Sequence, residues 1–308
     1  MRLKGLHHLH LKVRDLAGTL AFTQDFGLTS AGEENGLVYL HGSGSAVYQL
    51  VLEEAAKSQL AALAFELDDD ADLSELEIRH GQSFVPLGGP GKGRAITLMD
   101  PEGNSIRLVT GMETREADPL PPLMTHNQGA QKERRGVWQH KPPLGAPPLM
   151  RLGHVGLFIR DWAACDKWYR ETLRLIPSDL LYAGAPQNII GGFYRIDRGD
   201  EWVDHHTIAF FAMGKSDLHH VSFEVPNPET QFMGHRWMTH KQHESVWGVG
   251  RHPLGSHVFD VWRDPSGYRF ETFSDTDLCN ASIPTTSHSI ADASMDLWSD
   301  RHVDAYFA

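Results

Sequence analysis

Three residues far apart in the chain, His154, His220 and Glu271, form a set able to hold a divalent metal ion. Two neutral imidazoles and one carboxylate on one face of an ion leave about three coordination positions open for substrate and dioxygen. Such a set suits Fe(II), and the same donors suit Mn(II). A closed structural zinc site would draw on cysteine thiolates. The chain has only Cys165 and Cys279, neither in a Cys-x-x-Cys motif, and both are expected to be reduced thiols. Any one of the three residues alone would pass as an ordinary strand residue. What singles them out is their place in an internal repeat.

Four segments alternate apolar and polar residues in the same way: 6–13 (LHHLHLKV), 60–67 (LAALAFEL), 152–159 (LGHVGLFI) and 218–225 (LHHVSFEV). Period-two alternation reads as a strand. After the first, third and fourth come residues that can start a helix, Arg14-Asp15, Arg160-Asp161 and Pro226-Asn227-Pro228, and after the second the acidic run 68–70. Helical spacing follows over residues 162–175, where Trp162, Cys165, Trp168, Tyr169 and Leu173 share a face. Two later segments also repeat: Asp100-Pro-Glu-Gly followed by 104–109, and Asp264-Pro-Ser-Gly followed by 268–273. Asp-Pro-x-Gly is a tight turn, and the alternation after it is a strand. Each unit is therefore a strand, a helix and further strands. The expected fold class is α+β, with four βαβββ modules paired into two barrel-like domains.

Comparing the two halves locates the chemistry. His154 stands where the first unit has His8, His220 where the second has Ala62, and Glu271 where the N-terminal turn is followed by Arg107. His, Ala and Arg cannot bind a cation, because alanine brings no lone pair and arginine brings a positive charge. The domains are read as 1–112, an N-terminal unit without metal; 113–149, a linker rich in proline up to Pro148; 150–275, the metal-binding unit; and 276–308, a polar tail. The aromatics of the tail, from Trp298 to Phe307, suggest that it docks on the body of the molecule.

The formal charge of −12 and a pI near 5.8 argue against nucleic acid or an anionic membrane as partner, since both call for concentrated Lys and Arg. No apolar run approaches the length of a membrane span. The N-terminus lacks the apolar core of a signal peptide, so a cytoplasmic protein is expected.

At Gly153-His154-Val155, at Leu218-His219-His220-Val221-Ser222-Phe223, and at Asp264-Pro265-Ser266-Gly267 leading to Glu271, the chain resembles the vicinal oxygen chelate superfamily. Within it, the resemblance is to the two-domain type I extradiol ring-cleavage dioxygenases, and it covers nearly the whole chain. It implies Fe(II) as cofactor, an aromatic diol and dioxygen as substrates, and assembly into a homo-oligomer. It also implies that the second histidine of the pair, His220, is the ligand, in agreement with the repeat. A catalytic acid–base histidine is implied at His206, in the His206-Thr-Ile-Ala-Phe210 segment. His205, on the opposite face of a regular strand, is counted with the substrate contacts. A second catalytic histidine is implied at His252, after Gly248-Val-Gly-Arg251.

One position departs from the family. Where a tyrosine usually stands three residues before the Asp of Asp-Pro, this chain has Val261. His257, Tyr268 or a water could take over its role. The run from His252 to Pro265 is similar to a branch acting on polyhydroxylated rings, such as trihydroxytoluene oxygenases. Trp202, Phe193 and Trp262 are candidate walls of an apolar substrate pocket. Two rival functions belong to the same superfamily. Non-redox metal-dependent lyases and isomerases would add a second carboxylate, and non-enzymatic small-molecule binders would need no metal.

Overall fold

A computed structural model describes residues 1–308 except 70, 123, 137–142, 293, 302–305, 307 and 308. Pro142 of the linker, Asp70 of the acidic run and Phe307 at the end of the tail lie outside the described residues.

The four repeats are four βαβββ units. The first is β1 (Leu3–Val13), α1 (Leu16–Phe26), β2 (Thr29–Glu34), β3 (Leu37–His41) and β4 (Leu50–Glu54). The second is β5 (Gln59–Leu67), α2 (Leu73–His80), β6 (Val85–Pro86), β7 (Lys92–Met99) and β8 (Ser105–Met112). The third is β9 (Arg151–Ile159), α3 (Trp162–Thr172), β10 (Ile176–Tyr182) and β11 (Ile189–Arg195), then the short β12 (Val203–Asp204) and β13 (Ile208–Ala212). The fourth is β14 (Asp217–Glu224), α4 (Pro228–His240), β15 (Glu244–Arg251), β16 (Val258–Arg263) and β17 (Arg269–Ser274).

The first two units share one sheet in the order β2-β3-β4-β1-β5-β8-β7-β6, and the last two share another in the order β15-β16-β17-β14-β9-β13-β11-β10. In both, the first strands of the paired units run antiparallel at the centre, β1 with β5 and β9 with β14. Each first strand also pairs in parallel with the last strand of its own unit. The sheets curl into half-barrels with helices on the outside, which is the α+β architecture expected. β9 is buried along nearly its full length, because a helix-bearing core covers one face and the barrel interior the other.

Local chemistry sets the helix starts. Asp15, Asp72, Asp161 and Asn227 are N-caps whose side chains accept from the backbone N–H three residues on. α1 ends at Gly27, whose φ of 119° is open to glycine. The two Asp-Pro-x-Gly turns do more than reverse the chain. Glu102 accepts from the backbone N–H groups of Arg160 and Asp161 at the start of α3, and Asp100 accepts from Tyr169 Oη at 2.9 Å. Reciprocally, Thr19 of α1 donates to Asp264 Oδ2 at 2.8 Å, and Asp15 N–H to Ser266 Oγ at 3.2 Å. The first helix of each half is thus anchored on the turn of the other half.

The described residues of the 113–149 segment form no strand or helix. Arg115 fastens the segment to the carbonyl of Gly44 at 2.7 Å, and Leu149 is fully buried. The tail is more ordered than its polar composition suggests. β18 (Leu278–Cys279) pairs with β12, and β19 (Thr286–Ser289) extends the second sheet alongside β10.

Candidate metal centre and substrate cavity

Strands β9, β14 and β17 lie side by side, and their register brings the three candidate ligands together. Ser222 of β14 is opposite both His154 on β9 and Glu271 on β17, and His220 is opposite Gly156. His154 Nε2 lies 3.0 Å from Glu271 Oε1, which also accepts from Ser222 Oγ at 2.7 Å. The ring of His220 sits 5.3 Å from that of His154, centroid to centroid. A bulge near His219 lets both histidines of the pair face inward, and their Nδ1 atoms are 2.7 Å apart. That contact occupies Nδ1 of His220 and leaves Nε2 as its available donor, a usual way of orienting a ligand imidazole.

His257 joins the group. Its Nε2 lies 3.8 Å from Glu271 Oε1, and donor atoms of His154, His257 and Glu271 all fall within 4.8 Å of one another. Among the described residues, neither ring nitrogen of His257 has a hydrogen-bond partner, although the side chain is buried. A buried imidazole with both nitrogens unpaired is unfavourable unless a ligand or ion completes it. Burial pushes the pKa of His220 down to about 3 and that of His257 well below the ordinary range. Burial alone would raise Glu271, but hydrogen bonding to His154 and the surrounding imidazoles hold its carboxyl well below the usual range. One carboxylate among buried imidazoles, with no Lys or Arg among the described residues of the cavity wall, fits a divalent cation.

The N-terminal half repeats this register with different side chains. His8 is opposite Ala64, His10 is opposite Ala62, and Ala64 is opposite Arg107. Burial lowers the pKa of His8 and His10, and the Arg107 guanidinium lowers both further. The space filled by a cation in one half would here be filled by an arginine.

The candidate ligands open onto a cavity of about 300 Å³. Its far wall is apolar, formed by Leu181, Ile190, Phe193, Phe211, Met213 and Leu254, and Glu271 is the one carboxylate among the described lining residues. His206 lies on this wall with its ring 4.3 Å from that of His154 and 5.1 Å from Phe193. Burial, reinforced by His154, keeps its pKa well below the ordinary value. His252 is stacked flat on Phe259, with centroids 3.8 Å apart, and its Nδ1 is 2.7 Å from the Met295 carbonyl. Nδ1 must therefore carry the proton, and Nε2 is left as an acceptor.

Four other expected substrate contacts lie elsewhere. Trp202 is 59 % exposed and lines a separate cavity between the two halves. Trp262 faces the opposite side of β16 from Val261 and donates from Nε1 to Asp260 Oδ2 at 2.6 Å. Tyr268 is turned towards the N-terminal half, where its hydroxyl donates to the Lys12 carbonyl at 2.8 Å. His205 stands behind His206, off the cavity wall, with Nε2 2.7 Å from Asp179 Oδ2.

One residue of this site is not singled out by motif, spacing or repeat. Tyr306, from the tail, is buried on the cavity wall and packs with Val261, Trp247 and Phe259. Its hydroxyl bonds Glu271. The tail aromatics signalled docking, but the tail has no counterpart in the repeat from which its destination could be read.

Residues 151–272 match the Glyoxalase/Bleomycin resistance protein/Dioxygenase superfamily. The chain is 27 % identical over 279 residues to metapyrocatechase 2 of Cupriavidus necator, covering 90 % of this chain and 82 % of that one. Among solved structures, it superposes with a TM-score of 0.78 on homoprotocatechuate 2,3-dioxygenase of Brevibacterium fuscum in complex with 3,4-dihydroxyphenylacetate, at 19 % identity and covering 99 % and 92 % of the two chains. The TM-score is 0.77 with a Mn(II)-bound glyoxalase of Novosphingobium aromaticivorans, at 20 % identity and 97 % and 91 % coverage.

Proposed function

We propose that this chain, a member of the Glyoxalase/Bleomycin resistance protein/Dioxygenase superfamily, opens the ring of a catechol-like compound beside its two hydroxyls, using Fe(II) and dioxygen in aromatic catabolism. The observation carrying this reading is the convergence of His154, His220 and Glu271 on one side of a buried cavity whose other walls are apolar. The metapyrocatechase relative supports it. The lack of a second carboxylate on the described wall disfavours the four-ligand lyases and isomerases.

His154, His220 and Glu271 would hold the ion, with His257 beside them. Bound there, Fe(II) would acidify the diol that chelates it and mediate electron transfer from the ring to dioxygen. The remaining work falls to the protein. The apolar wall of Phe193, Leu181 and Ile190 receives the ring face and excludes water. His252, locked by Phe259 and the Met295 carbonyl, presents Nε2 to accept a hydroxyl proton. His206, neutral and beside the ligands, takes and returns a proton as the ring opens.

The test is anaerobic loading with Fe(II), then oxygen uptake with a panel of catechols. Uptake with formation of a yellow ring-opened semialdehyde acid is expected. Protein that binds the metal tightly yet consumes no oxygen with any diol would refute the reading, and parallel loading with Mn(II) tells which ion supports turnover.

A further inference from the structure

Two rows of residues cross the second half-barrel side by side. In the first, His220 is opposite Gly156, Gly156 opposite Ala209, and Ala209 opposite Phe193. A candidate ligand stands at one end of this row and Phe193 at the other, so it marks the level of the diol ring. The second row lies two residues further along the strands, roughly 7 Å away. There Phe158 is opposite Phe211, Phe211 opposite Gly191, and Gly191 opposite Leu181. Leu181, Gly191 and Phe211 all line the cavity. The middle one has no side chain, which leaves a notch between an isobutyl group and a phenyl ring.

Backbone geometry does not explain this glycine. Gly191 has no positive φ, so its conformation is open to other residues. A Cβ placed on it would lie 3.4 Å from Leu181 Cδ1, an ordinary contact, and 3.3 Å from the Phe210 carbonyl oxygen. Anything larger would project into the notch. Past the notch the wall ends at Met213 and Ile290, both about half exposed, so the cavity reaches the surface with an apolar rim.

The chemistry of the notch restricts what can fill it. No Lys or Arg lines the cavity among the described residues. Arg251 is held by the Ser256 carbonyl and by Asp275 Oδ2 at 2.7 Å, and the exposed Lys215 has its Nζ 4.2 Å from the centre of the Phe158 ring. A carboxylate placed in the notch would shed its water with no cation to replace it, and a hydroxyl would find no partner there. Hydrocarbon gains by leaving water. Size agrees with this. A cavity of about 150 Å³ is enough for benzene, so a diol ring fills about half of the roughly 300 Å³ available.

We propose that the diol carries an uncharged hydrocarbon substituent and that the notch over Gly191 receives it. Gly191 is then a specificity-determining residue, which admits the substituent by having no side chain. This rests on the function proposed above and names the class of diol it acts on.

Two measurements test this. The first is oxygen uptake by the Fe(II)-loaded enzyme with catechol, with its 3- and 4-alkyl derivatives from methyl to propyl, and with 3,4-dihydroxyphenylacetate. In one of the two alkyl series kcat/KM should rise about fourfold per added carbon, the effect of burying a methylene. The propyl member should exceed the carboxylated diol by about 100-fold or more. No rise in either series, or a preference for the carboxylated diol, overturns the proposal. In Gly191→Val the ratio of kcat/KM for the propyl diol to that for catechol should fall to about one, because the added methyls fill the notch. A ratio as high as in the unmodified enzyme overturns the proposal, and if the variant fails to fold, the series on the unmodified enzyme decides. The second measurement needs no turnover. Anaerobic calorimetry of the same diols on the Fe(II)-loaded chain should show Kd falling by the same factor per carbon. Oxygen uptake without alkyl preference would sink the notch alone, alkyl preference in binding without uptake would sink the ring-opening reading alone, and absence of both binding and uptake would sink both.

Discussion

Gly156 lies directly beneath the imidazole of His220. A Cβ added there would stand 2.5 Å from both Cε1 and Nδ1 of that ring. The two residues are opposite one another across β9 and β14, and the missing side chain is the room in which the ligand sits. At the equivalent position, the N-terminal half has His10 opposite Ala62, with bulky and small residues exchanged. Real Cβ contacts do not come so close, so Gly156→Ala must push His220 aside. Fe(II) affinity is expected to fall about 10- to 100-fold, the effect usual for disturbing the support of a metal ligand. Equilibrium dialysis with circular dichroism checks this; unchanged affinity in a folded protein would mean that His220 is not a ligand.

The two halves should differ in stoichiometry. Arg107 occupies the position of Glu271 and Ala62 that of His220, and among the described residues the N-terminal half brings together no three His, Cys, Asp or Glu donors for a cation. The expected metal content is one ion per chain. His8→Ala should leave that value unchanged, and His154→Ala or Glu271→Ala should bring it near zero. Metal analysis after gel filtration reads the result, and two ions per chain, or loss of metal in His8→Ala, would contradict it.

Tyr306 reaches the cavity from the far end of the chain and bonds Glu271. It packs on Val261, where the family resemblance led one to expect a tyrosine. Tyr306→Phe removes one hydrogen bond to a charged group, worth about 1.5–3 kcal/mol when buried. If that bond is strengthened during turnover, kcat/KM falls about tenfold or more, whereas a bond of equal strength throughout would leave the rate as it is. The first outcome is expected. Steady-state oxygen uptake at saturating iron decides between them.

Much of this was legible in the sequence because period-two alternation and Asp-Pro-x-Gly turns are local signals, and because the chain states its pattern four times. His154, His220 and Glu271 followed from comparing one half with the other, and the observed strand register places them opposite equivalent partners. Long-range placements were not legible. Which face of β16 Trp262 would take depends on register with β17, and the turn of Tyr268 towards Lys12 depends on how the two halves dock. His257 lies in no repeat-equivalent ligand position, so only the fold reveals its nearness to Glu271. Tyr306 and β19 come from a tail with no internal counterpart.

Asp179 links the site to acid stability. Its folded pKa of about 2 lies below the ordinary value of 3.8, so the ionised carboxylate stabilises the fold above that ordinary value. The contribution is lost as pH falls from about 4 through about 2, where the carboxyl becomes protonated in the folded as well as the unfolded chain. The shift corresponds to about 2 kcal/mol. Asp179→Asn lacks this titration while keeping the side-chain shape. Unfolding free energies from urea titrations should therefore differ between the two proteins by about 2 kcal/mol at pH 5 and converge towards pH 2. Curves that stay parallel across that interval would show that Asp179 is not held ionised by His205 and Thr286.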